Sequence, residues 1–196
     1  MIKSLKKFVT DSMAIDLGTA NTIIAVKGRD IVLDEPSVVA VNENTREIVA
    51  YGVEADDMRG REARDVVVVA PLSGGVVADF ERTKKMLNHF VKKAKSGGSQ
   101  VSLQAVLSML GDVTHVEQRA LLHAAEESHL GKVYMMEEGL AAAFGAGVTA
   151  NDKRASAVID IGAGTTNIAV IAKGTVVQSH SERIGSAEIN AALITH

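Results

Sequence analysis

Residues 16–23, DLGTANTI, and residues 160–168, DIGAGTTNI, are near copies of one another in a chain of 196 residues. Each sits inside a longer copy, MAIDLGTANTIIAVKGRDIVL and AVIDIGAGTTNIAVIAKGTVV. Both read as an apolar strand ending in aspartate, a turn of small residues, a second strand, a Lys-Gly turn and a third strand. Two such meanders this far apart do not suit a stacked array, whose units recur every roughly 20–50 residues. They point to two related lobes. The length admits two small domains or one large one.

The composition is that of an ordinary globular chain, 46% hydrophobic and 23% charged with a formal charge of −3, so it lacks the basic footprint of a nucleic-acid binder. The absence of cysteine excludes disulfides and thiolate metal sites and fits a reducing compartment, with cytoplasm as the expectation. No run approaches the roughly 18 apolar residues of a membrane span, and MIKSLKKFV has no secretory h-region. Residues 1–9 do set Ile2, Leu5, Phe8 and Val9 against Lys3, Lys6 and Lys7 on a helical wheel. That pattern suits a helix on an anionic membrane surface, and equally a frayed or locally packed terminus.

Between the meanders, strand and helix signals alternate. PSVVAV and REIVAY flank a polar loop and predict a hairpin, and VVVVAP predicts a strand stopped by Pro71. Phe80, Leu87, Phe90, Val91 and Ala94 recur at helical spacing until Gly97 and Gly98. QAVLSML reads as a buried strand, a helix is expected from Thr114 to near Gly131, KVYMM is another strand, and LAAAFGAG is a short helix of small residues. Glu117, three residues after Thr114, has capping-box spacing. The polar stretch 149–154 is the candidate linker.

The duplicated turns carry the chemistry. Gly18 in the first, and Gly162 with Gly164 in the second, let consecutive amides point into one concavity, to which Thr19, Asn21 and Thr22, or Thr165 and Thr166, add short donors. Such a turn suits a phosphate. Asp16 and Asp160 would repel one, so a carboxylate beside each cradle requires an intervening cation, and Mg²⁺, which takes oxygen ligands and keeps several waters, fits. Glycine and threonine also build hairpins that bind nothing. Two copies with the same order of aspartate, glycine and polar residues favour a metal-bound polyphosphate held between them. The six histidines show no metal-ligand spacing and the seven methionines read as packing residues.

With these motifs the chain resembles the actin, heat-shock-chaperone and sugar-kinase superfamily, and within it the bacterial actins of the MreB and MamK kind. IDLGTANTIIAVKGRDIVLDEPSVVAV, GGVVADFERTKKML, VEQRA, EEGLAAAFGAG and VIDIGAGTTNIAVI carry the likeness over almost the whole length. The resemblance implies an α/β, actin-like (ribonuclease H-like) fold. Residues 1–148 would form a complete first domain, with a small outer subdomain at about 31–78, and residues 149–196 a partial second domain. It implies an ATP-driven filament of the cell-shape or organelle-positioning type, self-associating or joining a full-length relative. Carried over by position, Asp16 and Asp160 act on Mg²⁺ through water, while Gly18, Thr19, Ala20 and Asn21 with Gly162, Ala163, Gly164, Thr165 and Thr166 hold the phosphates of ATP. Glu138 and Thr165 orient the attacking water, a role that phosphoryl transfer needs more than covalent catalysis. On spacing alone, Glu137 and Glu138 could instead serve the dipole of the following helix.

Departures from the family pattern bear on hydrolysis. Gly139 stands where the family has proline, Leu110 and Asp112 replace a proline and a glycine, Ser186 and Ala187 replace a glycine and an aspartate, and the 95–100 loop is polar. Family members also continue past the position matched by His196, so the adenosine contacts are expected to be reduced and the second lobe to expose strand edges and apolar faces. Two other readings stay open: a shortened non-catalytic module that joins or caps filaments, and a sugar kinase, for which no additional substrate lobe is recognisable.

Overall fold

The computed structural model describes residues 12–95 and 104–196. The basic amphipathic segment at residues 1–9, and the 95–100 loop beyond Lys95, lie outside them. The first meander is β1 (Ser12–Leu17), β2 (Asn21–Val26) and β3 (Asp30–Pro36). Alternation buries Met13, Ile15 and Leu17 of β1 on one face, as a half-buried strand requires. The turn into β3 needs positive φ at Gly28 (82°) and Asp30 (64°), the conformation that glycine and aspartate tolerate best.

Next come β4 (Val39–Asn42) and β5 (Ile48–Tyr51), the expected hairpin, then the one-turn helix α1 (Gly52–Asp56) and β6 (Val66–Val69), which pairs with the other edge of β4. A small ribbon, β7 (Leu72–Ser73) and β8 (Val76–Val77), leads to α2 (Phe80–Lys95). Met86, Leu87, Phe90 and Val91 of α2 are fully buried in the main core, and its basic residues face outward. β9 (Gln104–Met109), α3 (His115–Glu126) and β10 (Val133–Glu137) complete a five-stranded sheet in the order β10-β9-β1-β2-β3. β1, β9 and β10 run parallel, whereas the meander is antiparallel.

After α4 (Glu138–Gly145), the second meander forms its own antiparallel sheet: β11 (Ser156–Ile161), β12 (Thr166–Ala172) and β13 (Thr175–Glu182). Ala169 and Ile171 of β12 pack with Ala143 of α4 in a separate core. The last helix, α5 (Ser186–Thr195), follows.

Three features differ from the sequence reading. α3 stops at Glu126 instead of near Gly131, because Ser128 Oγ donates to the Ala124 carbonyl and His129 turns the chain at φ 57°. α1, a single turn without helical periodicity, starts at Gly52 (φ 58°), where the Val53 amide donates to the buried Glu35 carboxylate. α5 has no buried residue, so its pattern carries no core-facing stripe.

Candidate functional site

The parallel strands β1, β9 and β10 all present their carboxyl ends at one rim, the usual place for a ligand in an α/β sheet. Asp16 lies there near the end of β1, and Ser108 Oγ on β9 donates to its Oδ1 at 2.8 Å. Glu138 follows directly from β10.

The two turns are built alike. Gly18 N–H donates to the Asn21 carbonyl at 3.1 Å, and Gly162 N–H to the Thr165 carbonyl at 2.8 Å. Across the hairpins Asp16 pairs with Ile23, and Asp160 pairs with Asn167 in the same register. The loops meet tip to tip: a Cβ on Gly164 would come within 2.9 Å of Thr19 Oγ1. That same hydroxyl accepts the Gly75 N–H at 3.0 Å, which ties the first loop to the β7–β8 ribbon.

Between them opens a cleft of about 730 Å³, large enough for a cofactor. Its lining includes Gly18, Thr19, Ala20, Asn21, Gly162, Ala163, Gly164 and Thr165 from the loops, with Asp16, Asp160 and Glu138. Small apolar residues, Ala141, Ala142 and Gly145 of α4 among them, form another wall. Thr166 departs from this grouping. Its hydroxyl donates to the Ile184 carbonyl at 2.7 Å, and it does not line the cleft. Thr22 is likewise turned inward, in hydrogen-bond contact with Ser37 Oγ.

The electrostatics are dominated by crowded acids. Burial pushes the Glu138 carboxyl up to about 7, helped by the charges of Asp16 and Asp160 and opposed by a hydrogen bond from Asn167 Nδ2 at 2.7 Å. Burial, and then the Asp16 charge, also raise Asp160. At the start of α4 the helix dipole should favour an anion; desolvation and like charge outweigh it here. The Asp16 charge raises the proton affinity of both Glu138 and Asp160, and the Asp160 charge adds to the effect on Glu138, a crowding that a hydrated divalent cation would relieve, so Asp16 and Asp160 fit Mg²⁺ held through water. Among the described residues no group of three or more acidic or histidine side chains is placed to hold a metal directly.

Glu117 has the expected capping role. The Thr114 side chain accepts from the Glu117 amide, and the Thr114 amide donates back. Arg183 Nη2 also donates to Glu117 Oε1 at 2.6 Å, and these bonds, Arg183 foremost, bring its carboxyl down to about 2.

Ser108, Gly75 and Asn167 also line the cleft and were not singled out in the sequence. Ser108 and Gly75 carry no local signal. Asn167 could have been found by aligning the two hairpins, because it stands where the first has Ile23.

A family model described as MreB/Mbl protein matches residues 10–196. The cell shape-determining protein MreB of Escherichia coli K12 is 39% identical over 201 residues, covering 100% of this chain and 58% of that protein. The cell shape-determining protein Mbl of Bacillus subtilis 168 is 42% identical over 184 residues, covering 94% and 55% respectively. The chain therefore spans little more than half the length of these relatives. The crystal structure of MreB5 of Spiroplasma citri bound to ADP superposes with a TM-score of 0.84 at 34% identity, covering 94% of this chain and 55% of that one. A MamK double helical filament structure superposes with a TM-score of 0.77 at 23% identity, covering 95% and 58%, a likeness of fold.

Proposed function

Because the chain belongs to the MreB/Mbl family of actin-like proteins, we propose that its cleft binds ATP with Mg²⁺ and that it acts as a filament-forming, cell shape-type protein of the cytoplasm. The observation that carries this reading is the pair of mirrored turns, each with its aspartate, facing one another across a single cleft. The crystal structures of S. citri MreB5 with ADP and with AMPPNP add support, being nucleotide complexes of proteins 34% identical to this chain.

In this reading residues 1–148 form the first domain and residues 149–196 the partial second. The amides and hydroxyls of residues 18–21 and 162–165 face the phosphates, and the small residues of α4 leave space beside them. Bound Mg²⁺ would neutralise charge on the phosphate oxygens. Asp16, oriented by Ser108, and Asp160 would hold the ion through water. Glu138, when ionised, accepts a hydrogen from the attacking water and aligns it, while Thr165 flanks the same point.

Titration with ATP and Mg²⁺ tests the binding reading. Asp16→Ala and Asp160→Ala are each expected to weaken Mg²⁺-dependent ATP binding about tenfold or more. Affinity in both variants unchanged from that of the unaltered chain, or binding indifferent to Mg²⁺, would overturn it.

A further inference from the structure

Asn167 is placed unlike anything in the first hairpin. At matched register the first turn carries Ile23 opposite Asp16, whereas the second carries Asn167 opposite Asp160. An apolar side chain is therefore compatible with this position in a hairpin of the same design. Asn167 is nonetheless 6% exposed, its Nδ2 donates to Glu138 Oε2 at 2.7 Å, and its carboxamide oxygen is buried without a hydrogen-bond partner. A buried acceptor left unmade disfavours folding, so simple packing gives no reason for an amide here. The Glu138 bond is what the amide supplies.

We infer that Asn167 is a positioning residue for Glu138, holding one carboxylate oxygen so that the other points into the cleft at the attacking water. This rests on the ATP-hydrolysing reading of the site. An amide suits the task better than an acid, since another carboxylate would add charge beside Asp16, Glu138 and Asp160. It also suits it better than lysine, whose long flexible stem fixes direction poorly. The bond crosses from β12 to α4, two elements that approach closely: a Cβ on Gly139 would lie 2.4 Å from that of Ala169. The aim of Glu138 thus depends on how the second sheet seats against α4.

The test compares Asn167→Leu, which mimics the first hairpin, with Asn167→Gln, which retains the donor. Asn167→Leu should keep its fold and its affinity for ATP and Mg²⁺ but lose turnover roughly tenfold to a hundredfold, with kcat affected and KM not. Asn167→Gln should recover part of the loss. Independently of turnover, the Asn167 side-chain amide resonances should move on Glu138→Gln and stay in place on Glu137→Gln. Full turnover in Asn167→Leu, or amide resonances indifferent to Glu138→Gln, overturns the inference and leaves the binding reading standing. Loss of Mg²⁺-dependent binding in the unaltered chain overturns the binding reading instead, and the amide resonances still decide whether Asn167 engages Glu138.

Discussion

At the residue scale the telling group is Glu138, because burial and its acidic neighbours raise its proton affinity. An acid whose carboxyl titrates near 7 when folded and near 4.5 when unfolded binds more protons in the folded state between those values. Its contribution to stability is therefore greatest below pH 4.5 and declines as pH rises toward 7. Glu138→Gln should remove this slope and stabilise the nucleotide-free chain by roughly 1–3 kcal/mol above pH 7, with little gain at pH 5. Urea unfolding at the two pH values checks it. The same substitution should abolish most ATP turnover while sparing nucleotide binding, a division measurable by pairing kinetics with titration. Glu138 itself was legible in the sequence only through family resemblance. Its environment was not, because three acids distant in sequence converge only once β1, β10 and β11 are in place. Asp16 and Asp160 announced themselves by repetition, whereas Thr166 shared that signal and turned away to bond Ile184. Repetition reports the turn, and the pleat decides which side chains enter the cleft.

At the scale of elements, α4 lies on β12 with almost no room to spare. Gly139→Ala would bring its new methyl against Ala169, lifting the start of α4 and Glu138 with it. A loss of about 1–3 kcal/mol is expected, with a fall in turnover exceeding any fall in nucleotide affinity. Ala169→Gly in the same chain should restore both, a coupling that a double-mutant cycle in thermal unfolding would read. Long periodic elements were legible in advance: α2, the β4–β5 hairpin and both meanders stand where apolar spacing put them, and the capping box at Thr114 forms as its spacing indicated. Short or unburied elements were not. α1 is one turn fixed by a buried glutamate from β3, β7 and β8 have two residues each, and α5 buries nothing from which a period could be read.

For the molecule as a whole, the second sheet is covered on one face by α4 and bare on the other. Ile159 and Ile161 of β11 are 65% and 61% exposed, with Ile168 and Val177 also in solvent. Leu193 and Ile194 on α5 are more exposed still. An apolar face beside open strand edges promotes association. The isolated chain should sediment as concentration-dependent oligomers, and Ile159→Lys with Ile161→Lys should shift it toward monomer without lowering its melting temperature by more than a few degrees. Analytical ultracentrifugation with thermal scans would decide. Finally, the strand pairing dictates an order of assembly. β1 finds β2 immediately, yet its other neighbour, β9, begins at Gln104, and the opposing turn follows only after Asp160. On a ribosome the first loop would emerge and fold as a local meander well before its counterpart exists. A nascent chain thus passes through a stage with only one wall of the cleft in place, before the opposing turn exists to close it.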